Sequence, residues 1–341
     1  MSARKNAKLS DVAARVGVSA ITVSRALRTP EKVSPQLRKE IARAVAELGY
    51  VPNPAARALA SRQSDVIGVV IPSVTNNVFA EVVQGIHSEM EHHPFNMQLA
   101  YTRYSPRTEE NLLKVFLSQN PAGLIVTGID QSDAARAMLK AAPCPVVQIM
   151  ETAEDPIDLM IGFSHYDAAR AAATHLLEQG YRRLAFLGAR MDPRSQRRFQ
   201  GFRDGAMAGD AYSEARVVTS PAPSSVSLGA EFLGELLTSA PDFDAIFCNN
   251  DDLALGVMFE AQRRRIQIPD QIGLCGFNDL DMMAVAEPAI TSVKTFRHEM
   301  GRQAVEMLVA RIAGEDGPSQ TVVDLGFEVR ARRSTRRPSR G

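Results

Sequence analysis

The chain has 341 residues, of which 45% are hydrophobic and 23% are charged, and 39 Lys and Arg residues balance 39 Asp and Glu residues. This composition is that of a globular protein with two or three domains, and it excludes a disordered chain. No apolar run approaches the roughly 20 residues that a membrane span needs, and the N-terminus has no hydrophobic signal segment, so we expect a cytoplasmic protein without a membrane partner.

The charges are unevenly distributed along the chain. Residues 1–64 contain 12 Lys and Arg against 4 Asp and Glu, a net charge of +8, whereas residues 65–341 contain 27 against 35, a net charge of −8. A basic segment joined to an acidic remainder is typical of a polyanion-binding module fused to a domain with another task. A basic surface without any partner is the alternative interpretation.

The first fifty residues have the pattern of three short helices. The apolar residues of the first helix recur with the spacing i, i+3, i+4 and i+7: Leu9, Val12, Ala13 and Val16. This spacing predicts one apolar helix face. Gly17 then permits a left-handed turn, and Ser19 is a candidate N-cap of the second helix. Ser34 and Pro35 open a third helix, which Gly49 ends.

The contact between the first two helices has the pattern of a helix-turn-helix. Ala13, Gly17 and Val23 supply a small residue, a glycine turn and a buried aliphatic residue, which two closely crossing helices require. In this motif the second helix enters the major groove of DNA. A three-helix bundle without DNA function is the alternative, but the positive charge and Arg25 on the outer face favour DNA binding.

The residues of this segment also match a known family. LSDVAARVGVS from Leu9 to Ser19, TVSRAL from Thr22 to Leu27 and ELGYVPN from Glu47 to Asn53 resemble the DNA-binding head of the LacI–GalR, or lac-repressor-like, regulators. The resemblance implies an operator contact made by seven residues: Ser19, Ala20, Ile21, Thr22, Arg25, Asn53 and Leu59.

These residues are expected to have different tasks. The resemblance places Ala20 and Ile21 at the two base-choosing positions, and as apolar residues they could read only thymine methyl groups or act by exclusion. Arg25 is the candidate for a bidentate guanine contact. Ser19, Thr22 and Asn53 would contact phosphates.

Residues 53–64 are expected to connect the head to the rest of the chain. Asn53 and Pro54 can cap and open a helix, but the alanine-rich segment is too short to be stable alone. The resemblance implies a hinge helix that orders only on the operator, with Leu59 as a wedge in the minor groove. A plain flexible linker is the alternative.

From residue 65 onward, strand-like apolar runs alternate with helical segments. The predicted strands are Val66–Ile71, Phe95–Ala100, Leu124–Thr127, Pro145–Ile149, Leu184–Leu187, Arg216–Thr219, Ala245–Cys248 and Ile272–Gly276. This alternation predicts parallel, doubly wound α/β sheets in two subdomains with a ligand cleft between them.

The resemblance implies a periplasmic-binding-protein-like body whose chain crosses between subdomains near Phe163, Val293 and Val323. The expected divisions are a helix-turn-helix head at 1–52, a hinge at 53–64, a body at 65–331 (subdomain 1 about 65–163 and 294–322, subdomain 2 about 164–293 and 323–331) and a basic disordered tail at 332–341.

Polar residues at the predicted strand ends form the candidate effector site. Four arginines lie between Arg190 and Arg198, and guanidinium groups suit carboxylates and phosphates. The resemblance adds Arg198 as an effector arginine and Asn250 as a polyol ligand. The predicted contacts are Ser73, Asn76, Phe79, Arg190, Arg194, Arg198, Asn250 and Asn278. A solvated arginine-rich loop is the alternative.

One departure from the family pattern bears on the effector. Members that bind neutral sugars commonly have an acid directly after a Gly-Phe pair, where this chain has Asn278. The missing carboxylate favours an anionic ligand. Three motifs, called here the cleft motifs, look most like those of the gluconate-operon repressor branch: Leu187-Gly188-Ala189-Arg190, Ser73-x-Thr75-Asn76-x-Val78-Phe79-Ala80-Glu81 and Asp324-Leu325-Gly326-Phe327. The expected effector is gluconate, a ketogluconate or 6-phosphogluconate, with a neutral sugar or another small metabolite as the alternative.

Two other classes of protein fit the sequence less well. An enzyme is disfavoured because the common nucleotide, nucleophile and zinc motifs are missing, and no cofactor or metal is expected. A sugar-binding receptor without DNA function shares the body but does not need the basic head. The sequence therefore predicts a repressor that binds a pseudo-palindromic operator as a homodimer and is released by a sugar acid.

Overall fold

The computed structural model describes residues 7–51, 64–314 and 321–337. It contains two compact units, Met1–Ser64 and Asp65–Gly341, called here the head and the body. The predicted hinge residues Asn53 and Leu59 lie outside the described residues. Within the described ranges, no helix combines the length and the apolar character that crossing a membrane requires.

The head consists of helices α1 (Leu9–Val16), α2 (Ala20–Arg28) and α3 (Pro35–Leu48), with a 3-10 turn at Pro30–Lys32. Gly17 takes the left-handed conformation, with φ of 76°, and so allows the sharp turn between α1 and α2. The buried residues at the meeting of the helices are Val12, Ala13, Val23, Ala26, Ile41 and Ala44. The predicted small-residue contact therefore forms the core of the head.

The body contains two sheets. The first is formed by β1 (Val66–Ile71), β2 (Asn96–Tyr101), β3 (Gly123–Thr127), β4 (Val146–Ile149), β5 (Leu159–Gly162) and β11 (Val322–Asp324). The second is formed by β6 (Leu184–Ala189), β7 (Val217–Ser220), β8 (Ala245–Cys248), β9 (Gly273–Asn278), β10 (Thr291–Thr295) and β12 (Phe327–Arg330). Their orders are β11-β5-β4-β3-β1-β2 and β12-β10-β9-β8-β6-β7.

All described strand pairs are parallel except β10 with β12. The central strands are buried along their whole length because helices cover both faces of each sheet. These helices are α4 (Asn77–Met90), α5 (Pro106–Ser118), α6 (Asp133–Lys140), α7 (His165–Glu178), α8 (Pro193–Met207), α9 (Val226–Ser239), α10 (Asp251–Arg264), α11 (Met282–Val285) and α12 (Arg297–Ala313). The predicted doubly wound α/β architecture with two subdomains is confirmed.

The chain passes between the two sheets after β5, after β10 and after β11. Two of the expected boundaries shift by a few residues. β11 pairs with β5, so Val323 and Asp324 belong to subdomain 1, and β10 pairs with β9, so Lys294 and Thr295 belong to subdomain 2.

The prediction of a disordered tail from residue 332 is wrong for residues 332–337. Arg333–Thr335 forms a 3-10 turn in which Ser334 Oγ donates to the Leu274 carbonyl at 2.5 Å. Arg337 stacks on the Tyr181 ring at 4.2 Å and pairs with Asp244 at 3.3 Å. The segment is ordered because hydroxyls and guanidinium groups find partners on the body, which the basic composition alone does not indicate.

Three helix pairs in the body cross at glycines. A Cβ added at Gly85 in α4 would lie 2.0 Å from the His298 carbonyl oxygen in α12, and one at Gly201 in α8 would lie 2.0 Å from that of Tyr166 in α7. At Gly256 in α10 the distance to the Val226 carbonyl oxygen in α9 would also be 2.0 Å. The backbones touch directly, which no side chain would permit.

The direct contact between α4 and α12 at Gly85 predicts that one added methyl group will strongly destabilise the fold. Gly85→Ala should lower the free energy of unfolding by about 2–3 kcal/mol, because α4 and α12 must separate to admit it. The matched control is Gly234→Ala in α9, where the new Cβ would meet only the flexible Arg264 guanidinium at 3.4 Å. This change should stabilise the protein by about 0.5–1 kcal/mol. Urea unfolding followed by far-UV circular dichroism measures both, and equal effects would contradict the explanation.

Candidate functional sites

The first candidate site is the outer surface of α2 in the head. Ser19, Ala20 and Arg25 are exposed, and Ile21 is 71% exposed, which is unusual for an isoleucine. An apolar side chain at the start of a groove-reading helix is suited to contact thymine methyl groups. The four residues share the outer surface expected to face DNA.

The capping interaction at the start of α2 uses two of the predicted contacts. Ser19 Oγ accepts a hydrogen bond from the Thr22 backbone at 3.1 Å, and the two hydroxyls lie 2.9 Å apart. Thr22 is half-buried by this arrangement. The cap holds the N-terminus of α2, whose free amide groups and partial positive charge favour a phosphate.

The second candidate site is a cavity of about 50 Å³ between the two subdomains. We call it the arginine pocket; its lining residues are Asn76, Val78, Phe79, Tyr104, Met150, Ala189, Arg190, Asp192, Arg194, Ser195, Arg198, Ser224, Asn250 and Asn278. Seven of the eight predicted effector residues are in this lining. They meet there because parallel strands of both sheets end at the cleft.

Ser73 is the predicted residue that does not line the pocket. Its hydroxyl accepts hydrogen bonds from the backbone amides of Thr75 and Asn76, both at 3.2 Å. Asn76 in turn caps α4 and donates to the Tyr104 hydroxyl at 3.3 Å. Ser73 therefore shapes the loop that presents Asn76.

Arg198 is buried with 8% exposure and has three partners. Its Nε donates to His165 Nδ1 at 3.1 Å, its Nη1 donates to the Asn249 carbonyl at 2.7 Å, and the guanidinium lies 4.0 Å from the centre of the Phe277 ring. Burial lowers the pKa of Arg198 to about 10, so the group stays charged at neutral pH. Among the described residues, no carboxylate is within ion-pair distance of it.

His165 is a positioning residue that the sequence analysis missed. Its Nδ1 accepts from Arg198, so the ring proton is on Nε2, which lies 3.0 Å from the Met150 carbonyl. Burial, and then the charge of Arg198, lowers the pKa of His165 well below its usual value. A neutral imidazole can hold a guanidinium without competing with an anion.

Glu151 lies beside this histidine and is also buried. Burial raises the pKa of Glu151 to about 7, although Arg197 Nη1 lies 2.7 Å from its carboxylate. This pairing directs Arg197 away from the pocket lining. Arg197 therefore differs from the other arginines of the same run.

Arg194 and Asp192 form a second part of the pocket wall. Asp192 caps α8 through the Ser195 amide at 2.9 Å, and its Oδ2 lies 3.4 Å from Arg194 Nη2. Burial acts to lower the pKa of Arg194, but Asp192 and Asp130 outweigh it and the pKa lies above its usual value. Arg194 Nη1 is buried and has no hydrogen-bond partner.

Two further residues complete the pocket. Arg190 lies over the Tyr104 ring at 3.8 Å, so a cation and an aromatic hydroxyl from different subdomains meet there. Asn278 is 2% exposed, and its side-chain oxygen has no partner. Its backbone carbonyl accepts from Arg297 at the start of α12. The unpaired Asn278 oxygen needs a donor such as a hydroxyl.

Tyr104 could have been found from the sequence, since it follows the end of a predicted strand as Asn76 does. His165 could not, because it begins a helix far along the chain from Arg198 and has no neighbouring motif.

A larger cavity of about 190 Å³ adjoins the arginine pocket. We call it the acidic pocket; its lining residues are Val70, Ile71, Pro72, Thr102, Tyr104, Ser105, Pro106, Glu109, Thr127, Asp130, Gln131, Asp192, Pro193 and Arg194. Tyr104, Asp192 and Arg194 belong to both pockets. Glu109, Asp130 and the hydroxyls of this lining are not among the residues predicted from the sequence.

Comparison with known proteins relates both sites to one family. A model of bacterial regulatory proteins of the lacI family matches residues 8–53, and one of a periplasmic binding protein-like domain matches residues 173–335. The HTH-type transcriptional regulator GntR of Pseudomonas aeruginosa is 42% identical over 327 residues, which cover 96% of this chain and 95% of that protein. The GntR regulator of Escherichia coli K12 is 41% identical over 95% of this chain and 97% of that protein.

Solved structures agree with this relationship. A LacI-family transcriptional regulator from Silicibacter pomeroyi has a TM-score of 0.91 and 36% identity, covering 97% of this chain and 100% of that one. The lac repressor dimer bound to operator and the anti-inducer ONPF has a TM-score of 0.83 and 25% identity, covering 97% and 99%. The resemblance found in the sequence is confirmed: the chain belongs to the LacI family and is a DNA-binding transcriptional repressor, not an enzyme.

Proposed function

We propose that this repressor controls genes of sugar-acid catabolism, for gluconate or a ketogluconate, and that a small anionic sugar releases it from its operator. The observation that carries this proposal is the buried guanidinium of Arg198, which has no carboxylate bonded to it among the described residues. A buried charge without a counter-charge is costly, and a bound anion would remove that cost.

The balance of charge in the arginine pocket supports an anionic ligand. Arg190, Arg194 and Arg198 line it against the single carboxylate of Asp192. A neutral sugar would leave this excess of positive charge uncompensated. The guanidinium forks also match the two oxygens of a carboxylate.

The position after Phe277 supports the same interpretation. Asn278 lines the pocket where neutral-sugar binders of the family have an acid, and Asp279 is not in the lining. Asp279 instead pairs with Arg332 at 2.6 Å. This carboxylate is therefore not available to bind the hydroxyls of a neutral sugar.

The resemblance of the cleft motifs to the gluconate-operon branch supports a sugar acid over other anionic ligands. The unpaired oxygen of Asn278 and the capping amides of Asn76 and Asn250 suit a ligand with hydroxyl groups as well as a charge. A carboxylate on a polyhydroxy chain has both.

On DNA, we infer that two heads bind the two halves of a pseudo-palindrome. Arg25 would read a guanine, Ala20 and Ile21 would contact or exclude thymine methyl groups, and Ser19 and Thr22 would hold phosphates through the start of α2. Asn53 and Leu59 in the hinge complete this assignment on the strength of the family resemblance.

The twofold operator implies a homodimer. Operator and effector then bind antagonistically, and each weakens the other by the same factor. Because it acts on operator DNA, we place the protein in the cytoplasm at the nucleoid.

A calorimetric comparison of ligands tests the effector. The full chain should bind at least one of D-gluconate, 2-keto-D-gluconate and 6-phospho-D-gluconate and show no measurable binding of D-glucose, because glucose lacks the anion. The ligand that binds should also release a labelled operator in a fluorescence-anisotropy titration. Glucose binding as tight as that of any acid would refute the anionic effector.

Arg198 should be required for release of the operator. Arg198→Ala should raise the half-effective ligand concentration about 30-fold or more, through loss of a charge-assisted hydrogen bond. Arg198→Lys, which keeps the charge without the fork, should have an intermediate effect. Arg203→Ala is the control, since Arg203 on the same helix pairs with Asp204 outside the pocket. Unchanged release by the Arg198→Ala protein would move the anion site elsewhere.

Arg25→Ala should cost about 1–3 kcal/mol on the specific operator and relax discrimination at one base pair. Binding to a panel of operators with single base-pair changes measures this. Arg43→Ala is the control, because Arg43 is an exposed arginine of α3 and lies beside Glu47 at 3.7 Å. Retained discrimination in the Arg25→Ala protein would remove its base-reading role.

A further inference from the structure

The arginine pocket and the acidic pocket have opposite charge. Three arginines face one carboxylate in the first, whereas Glu109, Asp130 and Asp192 face the single Arg194 in the second. A ligand that extends through both would therefore pass from a positive to a negative environment. The charge of the protein then determines which end of the ligand lies in which pocket.

The two pockets are continuous for one ligand because they share a wall. Tyr104, Asp192 and Arg194 line both of them. Tyr104 comes from subdomain 1 and the other two from subdomain 2. A chain of several carbon atoms bound in the arginine pocket can thus extend along this wall.

An unpaired donor lies where the pockets meet. Arg194 is 7% exposed, and its Nη1 has no partner. A Cβ added at Gly128 would lie 3.8 Å from this nitrogen and 2.5 Å from Asp130 Oδ1, so both atoms lie close together beside Gly128. A hydroxyl there can accept from Arg194 and donate to Asp130, whereas a second carboxylate would be repelled by Asp130.

The rest of the acidic pocket also suits hydroxyl groups. Thr102, Ser105 and Thr127 contribute hydroxyls, and Gln131 contributes an amide. Burial raises the pKa of Glu109 to about 7, and the charge of Asp130 adds to the rise. A carboxyl that already lacks solvation resists another anion beside it but can hydrogen-bond a hydroxyl in either protonation state.

We propose that the ligand lies across both pockets, with one carboxylate in the arginine pocket and an uncharged polyhydroxy chain in the acidic pocket. Glu109 and Asp130 are then specificity-determining residues that select aldonic acids over aldaric acids, which have a carboxylate at each end. This inference rests on the proposed function and adds to it the orientation of the ligand.

The test compares D-gluconate with D-glucarate, which differ only in the group at carbon 6. Calorimetry on the full unaltered chain should show glucarate binding about 30-fold or more weakly than gluconate, because its second carboxylate meets two acids. In the double variant Glu109→Gln, Asp130→Asn the ratio should fall below about fivefold, because amides remove the repulsion and keep hydrogen-bonding capacity.

Glu110→Gln is the matched control. Glu110 adjoins Glu109, but it accepts from Ser132 at 2.6 Å and does not line either pocket. Its substitution should leave the ratio at the unaltered value. Far-UV circular dichroism checks that each variant folds. If the double variant is unfolded, Asp130→Asn alone should lower the ratio about threefold or more. This single variant should fold, because Asp130 is exposed.

Equal affinity of the unaltered protein for both acids, or binding of 6-phospho-D-gluconate as tight as that of gluconate, would overturn the orientation while leaving the proposed function intact. A double variant that keeps the full preference for gluconate would also overturn it. If neither acid binds and neither releases the operator, the gluconate effector of the proposed function fails as well.

Discussion

The candidate effector site of the body depends on one constraint. The Arg198 guanidinium is held away from water, with a neutral ring and a carbonyl as its hydrogen-bond partners. Arg198 could have been neutralised by Glu151, which is buried nearby, but that carboxylate is bound to Arg197. His165 is neutral and donates its remaining proton to a backbone carbonyl. Among the described residues the positive charge therefore has no paired carboxylate, as the proposed anionic effector requires, and stacking on Phe277 and two hydrogen bonds offset its desolvation cost.

The pocket around this guanidinium is built from both subdomains. Arg198 comes from α8 after β6, Phe277 from β9, and His165 from the first turn after the chain has crossed from subdomain 1. Asn76 and Tyr104 approach from the strand ends of the other subdomain. A ligand that bonds to residues of both subdomains would link the subdomains. A repressor of this family can couple such a link to a change in its affinity for the operator.

Local sequence patterns were sufficient to predict those helices and strands that form from the residues of one continuous segment. The spacing of Ala13, Gly17 and Val23 predicted the head, and the apolar runs predicted the central strands. The strands β5, β10, β11 and β12 were not predicted, because they lie near the crossings, where pairing depends on distant residues. The same reason applies to the site: arginines at strand ends were visible, whereas His165, Glu109 and the ordering of Ser334 depend on contacts between segments far apart in the chain.

The glycine crossings have a consequence for how such a protein can evolve. Where helix backbones touch, as at Gly85 and Gly201, a substitution of the glycine by any larger residue would force the helices apart. Such substitutions should therefore rarely persist in evolution. Some of the pocket residues, such as Asn76, Tyr104 and Arg190, stand instead on loops after strands, where substitutions are tolerated more readily than in the packed helices. Duplicated copies of the gene can thus diversify in the metabolite they sense while the scaffold stays fixed, and laboratory selection for new biosensors should confine its libraries to those loops.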